Sequence, residues 1–141
     1  MTGSLSRLER DKLIQAARTA ALFAYAPYSK FRVGAAVLGD HGIEVGANIE
    51  NASYGLALCA ERAALANAVA KGEKNLRAIA IACIDATQNQ GINELLPCGA
   101  CRQWLVELAP DAVIVICGND QVQEFTVDEL MPNPFRLGNA V

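Results

Sequence analysis

The sequence has no surplus of positive charge. Twelve lysines and arginines stand against 15 aspartates and glutamates, a formal net charge of −3 over 141 residues. A dedicated DNA or RNA binder carries a basic face, so this balance argues against that class. No stretch reaches the roughly 18 uninterrupted apolar residues that a bilayer-spanning helix needs. The opening MTGSLSRLERDKL lacks the apolar core of a secretion signal. A cytoplasmic protein with no membrane association is therefore expected. There is one histidine, His41, and it falls in an Asp40-His41-Gly42 turn, where a solvated side chain is expected rather than a metal ligand. No repeat, low-complexity tract or linker divides the chain, so residues 1–141 are expected to form a single domain. The 52% hydrophobic share is enough for its core.

Helical and strand patterns alternate along the chain. Ser6 and Glu9 form a capping-box pattern. Leu13, Ala16, Ala17, Ala20 and Ala24 then recur at helical spacing, predicting a helix to about residue 25 that Pro27 ends. Residues 32–38 and 43–49 read as a hairpin. Residues 58–71 read as a helix closing on Gly72. The apolar run AIAIACI over 78–84 and AVIVIC over 112–117 read as buried strands, with a polar loop over 85–97 and a helix over 98–108 between them. A weaker strand is expected over 122–127 and a short helix over 128–131. Apolar strands separated by helices imply a sheet covered on both faces. The fold class is thus α/β, a three-layer α/β/α arrangement, and the opening hairpin makes its five-stranded sheet mixed.

Five cysteines is an odd number, and with no secretion signal, metal binding or core packing is favoured over disulfides. Cys83 and Cys117 lie inside apolar strand runs and are expected in the core. The other three are placed differently. Cys59 opens one predicted helix, and Cys98 and Cys101 open the next. Positions i and i+3 share one helix face, so both sulfurs can reach one ion. Three protein ligands with one open position is the pattern of catalytic zinc, whereas structural zinc normally has four. Helix N-termini favour the thiolate form. A bare C-x-x-C also occurs in redox proteins and in structural zinc sites; the redox reading needs no third cysteine, and the structural one needs a fourth ligand.

The segments NIENASYGLALCAER and LPCGACRQ, together with APYSKFRVGAA and residues 132–135, resemble the small homotetrameric cytidine deaminases of pyrimidine salvage. The resemblance covers almost the whole chain, with cysteine where many deaminases have histidine. It implies hydrolytic deamination of cytidine and deoxycytidine by zinc-activated water. Zinc would be held by Cys59, Cys98 and Cys101, with Glu61 as the proton shuttle. It implies that Arg62 and Gln103 tune the sulfurs. Phe31 would pack on the base, Asn48 and Glu50 would hold ribose hydroxyls, and the Ala60 backbone would lie near the reacting amine. Strand geometry puts Asn48 and Glu50 on one side of the chain. Tyr54 and Phe135 would contact neighbouring subunits of a tetramer. Three rivals remain: a deaminase of another aminopyrimidine nucleoside such as blasticidin S, an enzyme that edits RNA, and a non-catalytic zinc module that binds nucleic acid.

Overall fold

The computed structural model describes residues 5–118 and 120–138. Helix α1 spans Arg7–Ala21, and its N-cap Ser6 and Glu9 exchange the two hydrogen bonds of a capping box. Strands β1 (Val33–Leu38) and β2 (Ile43–Ala47) form an antiparallel hairpin. Helix α2 (Ala60–Ala70), strand β3 (Ala78–Cys83), helix α3 (Gly99–Leu108), strands β4 (Val113–Cys117) and β5 (Val122–Thr126), and the one-turn helix α4 (Val127–Leu130) follow. The sheet runs β2-β1-β3-β4-β5, with β3 and β4 parallel and every other pairing antiparallel. This is the expected mixed five-stranded sheet. No helix among the described residues is long and apolar enough to cross a membrane.

Alternation along the central strands builds two cores. Ile79, Ile81, Cys83, Ile114 and Ile116 share one core with α2 and α3. Ala78, Ala80, Ala82, Val115 and Cys117 share the other with α1. Burying each branched side chain fully is worth about 1.5–3 kcal/mol relative to exposure. Two glycines let the helices approach. A Cβ on Gly34 of β1 would overlap the backbone of Ala17 and Ala21 in α1, and one on Gly46 of β2 would overlap the backbone of Ala60 and Ala64 in α2. The first turn of α2 is therefore seated directly on β2.

The element boundaries differ from expectation in two informative places. Helix α1 stops at Ala21 rather than near residue 25, and tight turns follow, with the Phe23 and Ala24 amides donating to Ala20 and Ala21. This frees Tyr25 to bridge to Ile49, which bridges in turn to Leu58. Strand β2 stops at Ala47 because Ile49 pairs there and not with β1. His41 is 80% exposed, but its turn is clipped to Glu73: the His41 amide donates to Oε2 (2.9 Å) and Nδ1 lies 3.1 Å from Oε1. Cys83 and Cys117 are buried, as expected of core residues.

Candidate active site

Cys59 is the N-cap of α2 and Cys98 the N-cap of α3, and neither makes a side-chain capping bond. Serine, threonine or aspartate would normally use its oxygen there to satisfy a first-turn amide. Here the two sulfurs are left for another purpose, while the unpaired N–H groups of both first turns supply positive potential. Cys101 lies one turn into α3 and is buried. The Cys59 and Cys98 sulfurs are 3.9 Å apart, and those of Cys98 and Cys101 3.5 Å. Three thiolates on tetrahedral zinc, at Zn–S distances near 2.3 Å, would lie about 3.8 Å apart. The cluster therefore fits zinc without rearrangement. Among the described residues it brings together three potential ligand side chains and no fourth, which is the open pattern and not the closed structural one.

Electrostatics favour one thiolate at this cluster, on Cys59. Hydrogen bonding from Cys101 and from Arg62, against the opposing effect of burial, lowers the Cys59 thiol to about 5. Cys101, bonded to Cys59 and buried, is shifted upward. The proton is thus held on one side of a shared sulfur network. Arg62 Nη2 donates to the Cys59 sulfur at 3.5 Å, and its buried Nε has no partner among the described residues. Glu61, the second residue of α2, is only 6% exposed. Burial pushes its carboxyl up to about 7, with the charge on Cys59 adding to the effect. A carboxyl poised near neutrality can both accept and return a proton.

A second group of residues gathers on the segment that leads into β1. Phe31 and Val33 pack against the α2/α3 core, and Val33 pairs with Cys83 in the sheet. Asn48 spends both ends of its amide on this segment: Oδ1 accepts from the Val33 amide (2.8 Å) and Nδ2 donates to the Phe31 carbonyl (2.9 Å). Glu50 Oε1 accepts from the Tyr28 and Ser29 amides at 3.0 and 3.1 Å. Bonds from Ser29 hold the Glu50 carboxyl below its ordinary value, so it stays ionised. Asn48 and Glu50 thus both face the chain over 28–33. Glu50 and Tyr54 line one pocket of about 390 Å³ with Tyr28 and Ser29. A larger cavity, of about 710 Å³, lies along α1 and β5 and holds none of these residues.

The remaining residues singled out from the sequence are placed in different ways. Ala60 is buried in the first turn of α2. Gln103 Nε2 donates to the Phe135 carbonyl at 2.9 Å, which ties the chain's end to α3. Tyr54 and Phe135 are 83% and 73% exposed, a large apolar surface for two aromatic rings. Sequence reading missed Asp85, which accepts from the Arg32 amide, Nε and Nη2. It also missed Arg102, which donates to the Pro97 and Leu130 carbonyls and so anchors the start of α3 to α4. An acid directly after the apolar run of β3 and an arginine directly after the C-x-x-C were the available signals.

A three-sulfur site that leaves a coordination position open, with one buried carboxyl beside it on an α/β/α sheet, defines a hydrolytic zinc centre. Comparison with known proteins specifies the family. Residues 8–117 match the model of the cytidine and deoxycytidylate deaminase zinc-binding region. A cytidine deaminase of Halalkalibacterium halodurans is 47% identical over 91% of this chain and 95% of its own length. The crystal structure of a cytidine deaminase from Burkholderia pseudomallei superposes with a TM-score of 0.79 at 42% identity, covering 89% of this chain and 98% of that one. That of Mycobacterium tuberculosis gives 0.72 at 38% identity, over 92% and 98%. The chain belongs to the cytidine and deoxycytidylate deaminase zinc-binding family.

Proposed function

We propose that the protein hydrolyses cytidine and deoxycytidine to uridine and deoxyuridine with release of ammonia. The observation that carries this reading is the buried Glu61 carboxyl beside three sulfurs spaced for one metal ion. Zinc, when bound, supplies a Lewis acid that lowers the pKa of water toward about 7. Cys59, Cys98 and Cys101 hold it. Arg62 offsets part of the negative charge that three thiolates bring, through its bond to Cys59. Gln103 spends its amide on the Phe135 carbonyl and would act on the sulfurs only by bracing α3.

Glu61 takes a proton from the attacking water as its oxygen adds to C4 of the pyrimidine. It delivers that proton to ring N3, then moves the second water proton to the departing amine, so that one water is consumed and one ammonia leaves. The Ala60 backbone faces the amine. Phe31 packs on the base. Asn48 and the free oxygen of Glu50 hold the ribose hydroxyls, and their fixed backbone bonds set where those groups point. The exposed aromatic rings of Tyr54 and Phe135 support a homotetramer in which neighbouring subunits complete each site. The enzyme would work in the cytoplasm in pyrimidine salvage, on a free nucleoside and not on nucleic acid.

The test is direct. Zinc-loaded protein incubated with cytidine should yield uridine and ammonia in equal amounts. A zinc-replete protein that releases no ammonia would overturn the proposal in favour of a non-catalytic zinc module. Faster turnover of blasticidin S than of cytidine would reassign the substrate.

A further inference from the structure

The stretch just before β1 is held more tightly than its position requires. β1 begins at Val33, and its ladder with β3 begins at the Val33–Cys83 pair. Residues 31 and 32 therefore lie beyond the sheet, where water would ordinarily satisfy the backbone. Instead, side chains take most of these roles. Ser29 Oγ accepts from the Phe31 amide at 3.0 Å, and the Phe31 carbonyl accepts from Asn48 Nδ2. The Arg32 amide donates to Asp85 Oδ2 at 2.8 Å, and the Val33 amide donates to Asn48 Oδ1. Asp85 is held in turn by the Arg32 guanidinium, whose Nε and Nη2 each lie 2.9 Å from one of its oxygens. The residue before this stretch, Lys30, sits in the left-handed region at φ 60°. A side chain there is unfavourable and persists only where its surroundings fix it.

We infer that Asp85 is a positioning residue for substrate binding: by holding the Arg32 amide it fixes Phe31 in the orientation that receives the pyrimidine. This rests on the proposed function, in which Phe31 meets the base. Asp85 touches no substrate. It follows β3 two residues after Cys83, so it joins the end of the strand nearest Glu61 to the residue adjoining Phe31. The carboxylate does two jobs, with Oδ2 shared between them. Its bond to the Arg32 amide holds the backbone, and its fork to the guanidinium holds the carboxylate itself.

The experiment measures kcat and KM for cytidine in the zinc-loaded enzyme and its variants, with zinc content and thermal unfolding followed throughout. Asp85→Ala should raise KM about tenfold with kcat within about twofold and zinc unchanged, the pattern of lost binding. Arg32→Ala keeps the backbone bond and should raise KM by less. Asp85→Asn keeps an acceptor and should recover part of the loss. Introduced into Phe31→Ala, Asp85→Ala should cost less than about twofold further, because residues acting through one another are not additive. Additive effects of Asp85→Ala and Phe31→Ala, or a fall in kcat with KM unchanged, would overturn the inference. If Asp85→Ala does not fold, the same cycle run with Asp85→Asn decides. A wild-type enzyme inactive on cytidine overturns the proposed function as well. An active one with an additive cycle overturns only the role of Asp85.

Discussion

On one face of the sheet, β3 and β4 present Ala78, Ala80, Ala82, Val115 and Cys117 to α1; on the other, Ile79, Ile81, Cys83, Ile114 and Ile116 meet α2 and α3. Small residues on the first face let a single helix lie close. Larger ones on the second support two helices whose N-termini converge on the cysteines. Buried polarity divides the same way. Glu61 is buried in the first turn of α2 with its carboxyl shifted toward neutrality, while the α1 face carries charges at the rim, as in the Glu9–Arg77 and Arg10–Glu124 pairs. A face that only supports can satisfy its polar groups. A face that does chemistry leaves them poised, at a cost in stability that the shared sheet must offset.

The comparison breaks most visibly at the ligands. Cys98→Ala removes the sulfur that links the other two in the chain of short S–S contacts. Purified variant should carry close to no zinc and no zinc-dependent turnover, measured by elemental analysis alongside ammonia release. Unchanged zinc would show the ligand set to be wrong. Glu61→Gln is next in size. It keeps the shape and the metal but removes the proton carrier, so turnover should fall by about 10²–10⁴-fold with zinc content intact, the range for a general acid–base group. Retained activity in that variant would remove Glu61 from the mechanism.

These two effects concern the part of the molecule that was legible in the sequence. Cysteine spacing, helix starts and the apolar run AIAIACI are local patterns, and local patterns survive folding. What stayed hidden depends on distant partners. Asp85 meets Arg32 across 53 positions, and an acid after a strand carries no sign of where its partner lies. Asn48 reads as a sugar-gripping residue, and the folded chain adds a second use, since each end of its amide also bonds backbone and one Nδ2 hydrogen is left over. Nothing about an asparagine at a strand end separates those two uses. Glu73 follows Gly72 with nothing in the sequence to mark it, yet it is buried under the His41 turn.

Gly46 was equally silent and provides a sharper test of the two faces. Gly46→Ala and Gly34→Ala each force a Cβ into helix backbone, α2 in the first case and α1 in the second. Each should cost about 1–3 kcal/mol by overpacking, read from chemical unfolding of the zinc-free proteins. Only Gly46→Ala shifts the turn that carries Cys59 and Glu61, so only it should weaken zinc binding and slow turnover. Equal zinc affinity in the two variants would mean that the seat of α2 does not set the site.

The smallest effect lies on the supporting face. Glu9 closes the capping box with Ser6 and accepts from Arg77 Nη1 at 2.9 Å. These bonds, Arg77's first, lower its carboxyl from an ordinary 4.5 to about 2. A depressed folded-state value means that the stabilisation is complete above 4.5 and is lost as pH falls through about 2. Wild type should therefore lose stability relative to Glu9→Gln across that acid window, with parallel curves at neutral pH and unchanged deamination there. Loss of zinc in acid affects both proteins alike and cancels in the difference. The pair is half-exposed, so added salt should narrow the gap. A gap that persists undiminished below pH 2, or a change in neutral activity, would show that the α1 face is not the passive support that its packing describes.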